Sequence, residues 1–412
     1  MRAIRIACWL TLIIFFTPSY ARVIPVGKSF ANKTINGAIA LAHSGDIVEV
    51  HEGVYQENVI VPKSIILRGI HSPSIDARLR GNVVLVTANN VTVEGFTLKN
   101  SGRSSLQEYC GIRAVGCQGV VIRKNNVLNN SIGINLRKCS HSIVSENNVN
   151  TSITYIPILG NAIHCWSCNT LSVYRNNVKR HRDGIYFEFV NQSKIFGNRV
   201  SDCIRYGLHF MFSHHNRYSY NVFKHNGAGV AVMYSHQVDM IANLFEWNVS
   251  DISYGLLLKD IYQGNISNNV FLKNSVAIYM DDTHDMKMNN NDFRQNGMGI
   301  RLLASSYDNR LSANNFLGNT FDVTTNSSSV DNVFDGNYWD KYPGYDIDKN
   351  GKGDVPYHPL SMFAMVTEQN PMAMLFFHSI VTNLLDLAEM IMPSMTPSDF
   401  VDEHPSMKQI IR

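Results

Sequence analysis

Polar and apolar positions repeat along most of this chain with a period of about 22 residues. An Asn-x-(Val/Phe) marker stands at Asn125, Asn147, Asn176, Asn198, Asn221, Asn243, Asn269, Asn291 and Asn314, at separations of 22, 29, 22, 23, 22, 26, 22 and 23 residues. Between these asparagines a small residue precedes an aliphatic one, at Gly111-Ile112, Gly133-Ile134, Ala162-Ile163, Gly184-Ile185, Gly207-Leu208, Gly229-Val230, Gly255-Leu256, Ala277-Ile278 and Gly299-Ile300. Each pair opens a short alternating run. Alternation is the period of a strand, and runs this short must bury their apolar side against the next repeat. The pattern predicts an all-β protein: a right-handed parallel β-helix of about 22-residue coils, with two or three strands in each. Asn and Gly are expected to serve its tight turns through their tolerance of the left-handed conformation. The two longer separations are absorbed by loops at residues 153–158 and 248–251.

The ends of such a stack need covers, because an open coil would pair with another chain. Ile35, Ala38, Ile39 and Ala42 lie at helical spacing before an apolar run at Ile47–Val50. They predict an N-terminal cap over residues 22–52, with the β-helix proper at 53–345. In residues 346–360, Asp346, Asp348, Asn350 and Asp354 occupy positions 1, 3, 5 and 9 of a loop with Gly351 at position 6. This resembles a Ca²⁺ loop, although Tyr357 takes the place of the usual bidentate Glu; an Asx-rich turn is the alternative. Residues 361–412 are expected to form a helical tail. It is apolar from Met372 to Met392 but interrupted by His378, Asp386 and Glu389, too polar to span a bilayer alone and too apolar to stay bare. Met372, Leu375, Phe376, Leu384, Leu385 and Leu387 are its candidate docking residues.

Composition changes the setting more than the fold. Arg2 and Arg5 precede the apolar run Ala7–Phe16, and Ser19-Tyr20-Ala21 has the small residues of a cleavage site, so residues 1–21 read as a secretory signal peptide. Six cysteines remain beyond it, Cys110, Cys117, Cys139, Cys165, Cys168 and Cys203, in a compartment that permits disulfides without requiring them. A net charge of +3, 17% charged residues and no Lys/Arg block argue against nucleic acid as a partner.

In a parallel stack, equivalent residues of adjacent coils lie about 4.8 Å apart. Counting from the small residue, the first, third and fifth positions after it are expected inward and the second and fourth outward. The second column reads His164, Tyr186, His209, Ala231, Leu257, Tyr279, Arg301, and the fourth reads Trp166, Glu188, Met211, Met233, Lys259, Asp281, Leu303. Met211 and Met233 therefore meet on neighbouring coils, with His209 on the same face. Two thioethers and an imidazole are soft donors suited to Cu(I), whereas Zn²⁺ or Ca²⁺ would call for thiolate or carboxylate. His214 and His236 in the following turns are candidates to complete the set; the alternative is an apolar patch covered by a loop or partner. Cys117, Cys139 and Cys168 form a further column, read as packing or a disulfide pair, and His164-Cys165-x-x-Cys168 can be read as a metal site. The rival function is a secreted polysaccharide-active enzyme (lyase, hydrolase or epimerase), for which Asp281-Asp282-Thr283-His284-Asp285 is the best acidic cluster. Its Asp281 neighbours Lys259, and no second acidic column accompanies it.

The segments Arg205-Tyr-Gly-Leu-His-Phe-Met-Phe-Ser213, Asn226-Gly-Ala-Gly-Val-Ala-Val-Met-Tyr234, Tyr254-Gly-Leu-Leu-Leu-Lys-Asp260, Arg301-Leu-Leu-Ala-Ser305 and Phe334-Asp-Gly-Asn-Tyr-Trp-Asp340 closely resemble the NosD family, over essentially the whole chain beyond residue 21 and including Leu384-Leu-Asp-Leu-Ala388. The resemblance implies a periplasmic β-helix protein of nitrous oxide reductase maturation, not an enzyme, held peripherally at the inner membrane. It implies an ABC transporter made of the NosF ATPase and NosY permease as partner, docked through the tail. Cu(I) would arrive from the lipoprotein chaperone NosL and pass to apo nitrous oxide reductase. The family segments contain His209, Met211 and Met233. The six cysteines are not part of the family's pattern.

Overall fold

The computed structural model describes residues 21–250, 253–327, 331–377, 379–392 and 400–411. All but the last residue of the expected signal peptide lie outside this set. Strands stack in parallel on three faces. The first face carries, among others, Ile163–Trp166, Ile185–Glu188, Tyr206–Met211 and Ala228–His236. The second carries Ser172–Tyr174, Lys194–Phe196 and Arg217–Ser219 on the same coils. The third is a separate sheet of 13 parallel strands among the described residues, ending in Tyr338–Trp339. The chain is thus an all-β parallel solenoid in which each coil repeats the last.

The Asn markers hold the coils together in a way the turn argument did not anticipate. They are buried, and they form a ladder rather than adopting the left-handed conformation. Asn221 Oδ1 accepts from the backbone N–H of Asn198 at 2.9 Å, while its Nδ2 donates to the Ile195 carbonyl at 3.0 Å and to Asn243 Oδ1 at 3.0 Å. The same pattern runs from Asn125 through Asn337. The left-handed residue is the one before, whatever its type: Glu146, Arg175, Tyr220 and Ala242 have φ of 56°, 52°, 56° and 54°. An inward-facing corner leaves backbone groups that no strand partner can reach, and a side-chain amide both donates to and accepts from them. Two residues after each ladder Asn, an apolar side chain points into the core. These become Phe223, Phe245, Phe271, Phe293, Phe316 and Trp339, whose rings stack at 5.6, 4.5, 5.1, 4.6 and 4.1 Å.

The small-residue marker answers to close approach. A Cβ on Gly207 would stand 2.6 Å from the Gly229 carbonyl oxygen and 2.9 Å from Phe223. From there the alternation holds for four residues and then slips. Leu208 and Phe210 are fully buried, Met211 faces outward, and Phe212 at φ 50° turns the corner, so the fifth position is exposed and Ser213 in the sixth is buried. The inward fifth position expected from strict alternation is corrected by this turn. The cysteine column follows the same corner. Cys117, Cys139 and Cys168 donate Sγ–H to the carbonyls of Val115, Arg137 and Trp166 at 3.1, 3.4 and 3.3 Å, as Ser213 and Ser235 donate to Met211 and Met233 at 3.0 and 2.8 Å. The thiols occupy the place of hydroxyls, and all six described cysteines are free.

At the N-terminal end, helix α1 (Ile35–Leu41) buries Ile35, Ala38 and Ile39 and is capped by Thr34. A strand at Val23–Val26, not singled out by the alternation, precedes it and pairs with Ile47–Val50. At the other end, helix α2 (Met362–Gln369) buries Phe363 and Ala364, and Glu368 pairs with Arg301. Helix α3 (Ile380–Ile391) follows a 3-10 turn at Pro371–Phe376. Residues 400–411 contain no helix and return to the last coil, where buried Asp402 accepts from the backbone N–H groups of Gly336 and Asn337 at 2.9 Å each. It also accepts from Asn337 Nδ2 and Trp339 Nε1 at 3.0 Å each. Asp402 is the next rung of the asparagine ladder, supplied from 65 residues downstream of Asn337.

Candidate functional site

The register pairs Met211 with Met233 and His209 with Ala231 across Tyr206–Met211 and Ala228–His236. Both methionines are half-buried on the outer face of the solenoid. Tyr186, one coil earlier, donates its hydroxyl to Met211 Sδ at 3.7 Å. His209 is 4% exposed, far more buried than its outward column implies. Its ring stacks on Tyr186 at 4.7 Å and leans on Tyr206 at 4.8 Å. Nδ1 lies 3.4 Å from Asp183 Oδ2, and Nε2 has no hydrogen-bond partner. An unpartnered, buried imidazole nitrogen on the strand that also carries Met211, the register partner of Met233, provides soft donor types that suit a monovalent metal.

His214 and His236 come together one corner further on, their rings stacked at 4.0 Å, with His214 Nδ1 accepting the His236 backbone N–H at 3.3 Å. Burial, helped by the neighbouring His236 and His215, pushes His214 below the ordinary imidazole range and keeps it neutral. Phe212 and Tyr234 separate this pair along the chain from the methionines and stack on each other at 5.1 Å. The imidazole stack continues through Tyr262, His284 and Tyr307 at 5.0, 5.4 and 5.0 Å. Asp183 and this longer stack were not found by sequence reasoning, which placed Tyr186 next to His209 in the second column without giving it a role. The 22- to 26-residue spacing to the next coil was the available signal for the stack, since His214, His236, Tyr262 and His284 fall on it. Among the described residues, no three His, Cys, Asp or Glu side chains converge on one point.

The other expected sites are placed as follows. In the Asp/Gly loop, Asp346 accepts from the backbone N–H groups of Asn350 and Gly351 at 3.1 and 2.8 Å. Asp348 accepts from Asn350 N–H at 3.0 Å, and Asp354 from Ile347 N–H at 2.5 Å. These are Asx turns closed by the loop's own amides. The backbone amides, working against desolvation, hold the Asp346 carboxyl below its usual value. In the acidic cluster, Asp281 is engaged by Lys259 at 3.0 Å and by the Ser305 hydroxyl at 3.2 Å. On the tail, Met372, Leu375, Phe376, Leu384 and Leu387 are exposed, Leu375 by 78%, whereas Leu385 packs partly against the core. No helix among the described residues is long and apolar enough to cross a membrane.

A family model described as periplasmic copper-binding protein (NosD) matches residues 149–344. The span includes all five candidate copper ligands. Two curated relatives are each named probable ABC transporter binding protein NosD. That of Pseudomonas aeruginosa is 29% identical over 376 residues, 86% of this chain and 87% of the relative. That of Stutzerimonas stutzeri is 27% identical over 378 residues, 86% and 85% of the two chains. Among solved structures, a family 28 exopolygalacturonase from Yersinia enterocolitica is similar with a TM-score of 0.54 and 11% identity, covering 79% of each chain. At that identity the likeness is one of fold alone. With the family's domain on the coils that carry the methionine pair, and relatives of the same name matching along most of its length, this chain is similar to the NosD family.

Proposed function

We propose that this chain is a periplasmic accessory protein, not an enzyme, that accepts Cu(I) and delivers it to apo nitrous oxide reductase together with an ABC transporter. The observation that carries the reading is the register of Met211 with Met233 beside His209, whose Nε2 is free. Thioethers and an imidazole are soft donors that select Cu(I) without the charge of thiolate ligands, which suits a carrier. Copper is cargo here, taken from the NosL chaperone. His214 and His236, one corner away, offer stacked imidazoles for hand-over. The test is competition with a chromophoric Cu(I) chelator. Met211→Leu with Met233→Leu, a volume-conserving change, is expected to weaken binding at least tenfold, or about 1.4 kcal/mol. Wild-type affinity in the double variant would sink the assignment.

The transporter is the NosF ATPase with the NosY permease, and the docking surface is the exposed apolar side of the tail. Single apolar residues on a surface are ordinary, but a contiguous set on consecutive turns is not. Deleting the tail would also remove Asp402, so point changes are the informative ones. Leu375→Glu with Leu384→Glu should abolish co-purification with the permease while leaving the thermal unfolding of the β-helix unchanged. Retained association would refute the docking role.

A further inference from the structure

His209 is the most deeply buried of the proposed ligands, and the fold holds it from several sides. Tyr186 lies against one face of its ring and Tyr206 against another, at 4.7 and 4.8 Å. Asp183, itself 1% exposed, stands at Nδ1. Arg205 approaches the other carboxylate oxygen of Asp183 at 3.6 Å and lies over the Tyr206 ring at 4.9 Å. A carboxylate can only accept, so Nδ1 is the nitrogen that donates to Asp183 and Nε2 is the one left without a partner. That nitrogen is buried without a partner, which costs free energy unless something occupies it.

We propose that Asp183 is the positioning residue of the copper site: it fixes the His209 tautomer and ring orientation that present Nε2 to Cu(I), and Arg205 steadies its second oxygen. The proposal rests on the copper reading above. It adds a residue that touches no metal and lies 26 residues before the ligand it governs. Carboxylate partners of ligating imidazoles raise ligand basicity, and their loss costs roughly 10–100-fold in metal affinity.

Two measurements separate this inference from the reading on which it rests. In the metal-free protein, long-range ¹H–¹⁵N correlation should find His209 protonated at Nδ1; an Nε2–H tautomer would overturn the proposal whether or not any variant folds. In the copper-loaded protein, Asp183→Ala should lower Cu(I) affinity 10–100-fold and remove the imidazole nitrogen from the X-ray absorption spectrum while the thioether sulfurs stay. Asp183→Asn, which keeps an acceptor oxygen, should restore most of both. Persistence of the nitrogen shell in Asp183→Ala overturns the positioning role, at wild-type or at reduced affinity. Wild-type affinity in the methionine double variant overturns the copper reading instead.

Discussion

Asn221→Leu is expected to destabilise the central coils by about 3–5 kcal/mol. Leucine keeps the branched outline of asparagine but is bulkier and can neither donate nor accept, so the change removes the ladder rung and crowds the corner. It strands the Asn198 backbone N–H, buried in the corner, and removes the amide's bonds to the Ile195 carbonyl, Asn198 Nδ2 and Asn243 Oδ1. An orphaned buried group costs about 1–3 kcal/mol, and each of the other lost bonds about 0.5–1.5 kcal/mol. The contrasting change is Asn148→Ala. Asn148 is exposed and bonds to the side chains of Asn126 and Asn177 at the surface, where water can replace both partners, so its loss should stay within about 0.5 kcal/mol. Denaturant unfolding compares the two, and hydrogen exchange should show lost protection centred on the coils around Asn221. Equal stability of both variants would mean that the ladder is decorative.

Asp402→Ala should cost a similar amount, about 3–5 kcal/mol, but at the end of the molecule. The carboxylate accepts from Gly336, Asn337 and Trp339, four bonds within 3.0 Å, and charge-assisted bonds are stronger than neutral ones. Asp402→Asn should recover only part of the loss, because its amide nitrogen would face the N–H groups of Gly336 and His404 in place of an acceptor. The predicted signature is local: faster exchange in residues 332–339 and detachment of 400–411, with the coils around Asn221 unaffected. Uniform destabilisation along the solenoid would contradict the assignment of Asp402 as an end rung.

What the sequence made legible is what repeats. The 22-residue interval brought Met211 onto Met233, and the structure has them as register partners. The reason for the interval was misread. The asparagines recur because a buried corner needs an amide, while the left-handed residue before them is as varied as Glu146, Tyr220 and Ala242. Alternation failed at Phe212 because a corner consumes one residue of the period. Asp183 and Asp402 were invisible for the opposite reason. Each acts once, outside the columns: Asp183 from the residue before a small-residue marker, Asp402 from beyond the last repeat. The burial of His209 was equally hidden, since an outward column says nothing of the tyrosines from two positions that close over it.

The return of residues 400–411 to the last coil gives the tail a mechanical character. Helix α3 is not at a loose end. It is strung between two anchorages, α2 on one side, fastened by Phe363 and by Glu368 to Arg301, and the Asp402 rung on the other. A displacement applied to α3 by a moving partner would be shared by both attachments and enter the same terminal coil twice. From there the load would pass along strands bonded to one another over the length of the solenoid, in shear across a continuous hydrogen-bonded sheet. A segment tethered at both ends works as a handle on the terminal coil.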